Sequence, residues 1–146
     1  MNSGQKAAGA LEDVKVPVKL KLSALWAATL FLYAYGDIIG FFRPDVVAAI
    51  KAGKIAGFEI NQVFLFGVSV YILIPSAMVV LSLVMRPEVS RWANLVLGVA
   101  YLLTNAASAI GESWAYYVFL TSAESVLFLL IVWHAWRWPR QRVSAA

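Results

Sequence analysis

Two acidic side chains stand where the surrounding sequence is almost wholly apolar, Asp37 and Glu124. An ionisable group in such surroundings is costly, and it usually faces a protein interior where it has a task. Helical spacing collects further polar residues beside each acid. Tyr117, Thr121 and Glu124 recur at steps of four and three, and Thr29, Tyr33 and Asp37 at steps of four. Gly98, Tyr101, Asn105, Ser108 and Glu112 recur in the same way, and Gln62, Ser69 and Ser76 lie seven apart. Each set falls on one face of a helix. The candidates for binding a ligand or an ion are therefore Asp37, Glu124, Asn105, Tyr33, Tyr101, Tyr117, Thr121 and Ser108. For Asn105, Ser108 and Thr121 the commoner use of such groups is hydrogen bonding between helices.

The residue inventory limits the chemistry. With no cysteine, disulfides, thiolate catalysis, iron–sulfur clusters and Cys-ligated zinc are excluded. The single histidine, His134, excludes a haem held by two histidines of this chain and leaves no metal-ligating constellation. The expectation is accordingly no metal and no cofactor. Tyrosine and glutamate could still act as acid–base groups on a quinone or lipid, but no nucleophile–base pair is visible.

The elements that must position these residues follow from hydropathy. The chain has 146 residues, 62% of them hydrophobic and 14% charged, where a soluble domain has roughly 25% charged residues. Charges gather in residues 1–21, 43–59, 86–91 and 137–142, with long apolar stretches between. A span needs about 20 apolar residues. Four stretches qualify: Leu22–Phe42, about Gln62–Met85, Trp92 to about Ile110, and Trp114 to about Trp136. The predicted fold is all-α, a membrane-spanning four-helix bundle. It comprises a polar tail over residues 1–21, one domain over 22–138 and a second tail over 139–146. The first apolar run begins at Leu22 and is long enough to span, so it reads as an uncleaved helix and not as a secretory signal.

Basic residues fix an expected orientation. Lys6, Lys15, Lys19, Lys21, Arg86, Arg91, Arg137, Arg140 and Arg142 fall on one side, and Arg43, Lys51 and Lys54 on the other. Both termini are then cytoplasmic, and the net charge of +4 needs no nucleic-acid partner. Trp26, Trp92, Trp133, Trp136 and Trp138 read as a belt at the inner interface, with Trp114 at the outer one. In the first loop, residues 43–61, Pro44–Asp45 resembles a helix start, with Gly53 and Gly57 as breakers. A short interfacial helix or a plain connector fits there. Gly36 and Gly40 permit close helix packing, within the bundle or between two copies of the chain, and Pro75 removes a hydrogen bond from the second span.

The segments Lys21-Leu-Ser-Ala-Leu-Trp26, Tyr33-Ala-Tyr-Gly-Asp-Ile-Ile-Gly-Phe-Phe-Arg-Pro44, Ile74-Pro-Ser76 and Ile131-Val-Trp-His-Ala-Trp-Arg-Trp-Pro139 carry a resemblance. Over about residues 17–140 the chain resembles a family of small bacterial four-helix membrane proteins of uncharacterised function. DoxX-like proteins are similar in layout only. The resemblance implies the bacterial inner membrane and names no substrate. The expected function is non-enzymatic: an outward polar pocket that binds a small molecule or lipid, or docks a partner. The alternative is a proton- or cation-coupled transporter acting as a homo-oligomer through Asp37 and Glu124. The lipid bilayer is the one partner common to both.

Overall fold

The structure, a computed structural model, describes residues 14–139. Lys6, Arg140 and Arg142, and with them most of the two expected tails, lie outside the described residues. The helices are α1 (Val18–Gly40), α2 (Pro44–Lys51), α3 (Gln62–Val84), α4 (Pro87–Ser108) and α5 (Ala115–Trp136), with a hairpin of β1 (Lys54–Ile55) and β2 (Phe58–Glu59) between α2 and α3. The predicted count of four helices is corrected to five among the described residues, because the first loop folds its own short helix.

Local chemistry explains the boundaries. Pro44 at the start of α2 sacrifices an amide that has no helical partner anyway, and Asp45 sits at the positive end of the helix. Ala56 and Gly57 both take positive φ, 47° and 84°, as a two-residue turn between antiparallel strands requires. The Asn61 side chain accepts the Phe64 amide and caps α3. Pro87 and Glu88 start α4 five residues ahead of the expected Trp92, again through proline in the first turn.

The long helices close into a ring in which α1 packs on α3 and α5, and α4 packs on α5 and, less extensively, on α3. Gly98 lets α4 and α5 approach: a Cβ there would lie 3.0 Å from Val132 Cγ2 and 3.1 Å from Ile131 Cγ2. Gly36 and Gly40 of α1 meet Leu120 and Tyr116 of α5, so this glycine pair serves packing within the chain. Leu22, Trp26, Met78, Tyr101, Phe128 and Ile131 form the core. The belt reading of Trp26 is overturned. It is 0% exposed, packs edge-on against Tyr101 and Phe128, and its indole donates to Asn94. A tryptophan whose N–H finds an internal acceptor gains more from burial than from an interface. Trp92, Trp114, Trp133 and Trp136 do face outward.

α1, α3 and α5 are long and apolar enough to cross a membrane. α4, expected as the third span, does not reach that standard, because Glu88, Arg91, Asn94 and Asn105 lower its average hydropathy.

At the end of the bundle that carries Val18 and Trp136, hereafter the terminal end, the buried polar groups are tied to one another. Asn94 Oδ1 accepts the Trp26 indole N–H at 2.7 Å and the Ser82 hydroxyl at 3.2 Å. Asn94 Nδ2 donates to the Ser90 carbonyl and hydroxyl, and the Ser90 hydroxyl donates to the Ser82 carbonyl. Ser23 donates to the Val79 carbonyl. Lys19 donates to the Leu83 and Met85 carbonyls at the end of α3, and Arg91 to the Ala135 carbonyl at the end of α5. Cations there offset the negative ends of those helices.

Candidate functional site

The opposite end of the bundle, the loop end, is locked by one arginine. Arg43, just past α1, pairs with Asp45 at 2.7 Å and Glu112 at 2.9 Å, and its guanidinium lies 4.7 Å from the centre of the Trp114 ring. It thereby joins the start of α2 to the turn between α4 and α5. Glu112 also accepts the Ser113 and Trp114 amides. Those contacts, the Trp114 amide foremost and Arg43 next, hold the Glu112 carboxyl below its ordinary value. The Arg43 guanidinium does the same for Asp45.

Beneath this lock lies a cavity of about 270 Å³ enclosed by α1, α3, α4 and α5. Asp37, Glu124, Asn105, Tyr33, Tyr117, Thr121 and Ser108, all singled out by spacing, line it together with Tyr71 and Thr104. Asp37 stands at an exposed position. Glu124 is ten residues into α5 from Trp114, roughly 15 Å along the helix, and is 7% exposed. Its carboxylate faces the cavity, and among the described residues no ion pair engages it.

The other candidates divide by what they touch. The Tyr33 and Tyr71 hydroxyls are 3.3 Å apart, and that of Tyr71 is 3.0 Å from Thr104 Oγ1, which makes a chain of hydroxyls across α1, α3 and α4. Asn105 Nδ2 donates to the Thr121 carbonyl at 2.9 Å and to Ser125 Oγ at 3.0 Å, tying α4 to α5. Ser108 donates to the Asn105 carbonyl of its own helix. Tyr101 is not a lining residue: it is buried in the core.

Tyr101 nevertheless shapes the cavity through Pro75. A helical residue at 75 would donate its amide to the Tyr71 carbonyl four residues earlier, and proline has none. The freed carbonyl accepts the Tyr101 hydroxyl instead, so a side chain of α4 completes the backbone of α3. The ring of Tyr101 rests 4.7 Å from that of Tyr71. Spacing overlooked Tyr71, although its place four residues before a mid-helix proline was the available signal. The expected polar stripe of α3 is corrected. Gln62 and Ser69 are exposed, and Ser69 and Ser76 donate to the Leu65 and Ile72 carbonyls of their own helix. A serine satisfied by its own helix gains nothing from facing inward. Tyr71, Pro75, Met78 and Ser82 take the inward positions.

Among the described residues no three His, Asp or Glu side chains converge. Residues 14–145 match the family described as "Family of unknown function (DUF6326)", and the chain belongs to that family. No curated protein and no solved structure matches the chain.

Proposed function

We propose that this member of the DUF6326 family is a small, non-enzymatic, multi-pass protein of the bacterial inner membrane whose polar cavity opens outward and binds a small molecule. The observation that carries the reading is the cavity itself: four helices enclose it, two acids line it, and the deeper one, Glu124, has no ionic partner among the described residues. A bundle built only for stability would tie such a group off, as it does at Asn94.

The reading takes all of α1, α3, α4 and α5 as spans. The distribution of side chains on α4 supports this despite its modest average. Ser90, Asn94, Gly98, Tyr101 and Asn105 are buried, while Val89, Trp92, Val96 and Leu103 face outward. A lipid-facing surface needs only its outer face to be apolar. Both termini are placed in the cytoplasm on the basic-residue count, nine against three. A second reading, proton- or cation-coupled transport, draws on Asp37 and Glu124 opening into one space. A single ring of four helices rarely holds two alternating gates, so that reading requires at least a dimer.

The absence of cysteine makes the test direct. Ser108→Cys lines the cavity, and Ser90→Cys sits in the closed network. A membrane-impermeant maleimide added outside intact spheroplasts is expected to label the first and spare the second. Labelling of Ser108→Cys only after the membrane is broken overturns the orientation. Failure to label it in detergent overturns the open cavity.

A further inference from the structure

We infer that the cavity takes an organic cation, an ammonium head on a small aromatic or aliphatic body. The inference rests on the reading of the cavity as a binding site and specifies what it binds. Charge comes first. Two carboxyl side chains line the cavity, and no Lys, Arg or His is among the described residues that do. The cation nearest in the chain to Asp37, Arg43, is already engaged by Asp45 and Glu112 and laid against Trp114. It is therefore not free to neutralise the acids below it.

Burial comes second. At 7% exposure Glu124 has little contact with bulk water, and no ion pair offsets it among the described residues. A buried charge without a counter-charge is strongly unfavourable. A bound cation supplies that charge, whereas an anion adds repulsion and a neutral ligand leaves the carboxyl to take up a proton instead.

The walls decide between a bare ion and an organic one. No cluster of three or more carboxylate or imidazole groups, the usual cage of a transition-metal ion, converges here among the described residues. A space of about 270 Å³ also exceeds what one dehydrated ion fills. Its walls are instead aromatic and aliphatic: Tyr33, Tyr71, Tyr117, Val68, Ile72 and Leu120. The rings of Tyr33 and Tyr71 are stacked, with centres 6.3 Å apart. Phenol faces attract an alkylammonium through their quadrupole, most strongly where water is excluded. The apolar walls then accommodate the body of the ligand.

The test uses the full chain in lipid nanodiscs and three probes of nearly equal size: benzyltrimethylammonium, its uncharged carbon isostere neopentylbenzene, and benzylsulfonate. Binding is read by calorimetric titration. The ammonium is expected to bind at least about tenfold more tightly than either other probe. Glu124→Gln should weaken it about tenfold or more. Asp37→Asn, at an exposed position that folding tolerates, should weaken it to a lesser degree. Glu88→Gln, in the first turn of α4 at the other end of the bundle, should leave it unchanged. Equal binding of all three probes, absence of ammonium binding, or full binding by both Glu124→Gln and Asp37→Asn overturns the inference. The labelling of Ser108→Cys decides separately whether the cavity is open, so a closed cavity and a wrong ligand class give different results.

Discussion

The two ends of the bundle handle buried polar groups in opposite ways. At the terminal end Asn94, Ser82, Ser90 and Trp26 are each 0% exposed, and their donors and acceptors are spent on one another. At the loop end, below the Arg43 lock, Glu124 is nearly as deeply buried and faces an open space instead. Both ends are made of the same helices, and both bury polar side chains. The difference shows that the cavity does not follow from loose packing or from polarity alone. This sequence can close a polar network completely where it does so, and a buried polar group left without a partner is costly.

That contrast can be broken by mutation. The largest effect is expected for Asn94→Leu, which leaves the Trp26 indole N–H and the Ser82 hydroxyl without their acceptor. It should cost about 2–4 kcal/mol of stability in detergent unfolding. A loss below about 0.5 kcal/mol would mean that the network is not what holds the terminal end. Glu124→Leu should act in the other direction, raising stability by about 1 kcal/mol, because it replaces an unpaired acid with an apolar side chain of similar size. If it destabilises as much as Asn94→Leu, Glu124 is a structural tie and the two ends are alike.

The smallest effect concerns the lock above the cavity. The folded state holds the carboxyls of Asp45 and Glu112 below their ordinary values of 3.8 and 4.5. A lowered carboxyl value contributes stability that is complete above the unfolded value and lost as pH falls through the folded one. The melting temperature should therefore decline below about pH 4.5, and Arg43→Gln should flatten that decline by about two degrees or less. An unchanged acid limb in Arg43→Gln would assign the decline to other carboxyls.

Periodicity reached the cavity from three of its four walls. Tyr33 and Asp37 on α1, Asn105 and Ser108 on α4, and Tyr117, Thr121 and Glu124 on α5 were grouped by steps of three and four, and the fold turns these faces toward one space. It missed the wall made by α3 for a physical reason. Serines that bond their own helix carry a polar label without an inward obligation, and Tyr71 is amphipathic enough to look like core. The Trp26 reading went astray in the same way: position near a helix end indicated an interface, while the acceptor that buries it lies 68 residues away.

Local rules therefore determined the helices, their starts at proline and capping residues, and the face of most polar side chains, since each depends on neighbours within about one turn of helix. Only the tertiary structure decided which of those faces would be sealed and which left open. That choice depends on whether a partner arrives from another helix: Asn94 meets Trp26 and Ser82, Arg43 meets Glu112, and no cation of the described chain reaches Glu124.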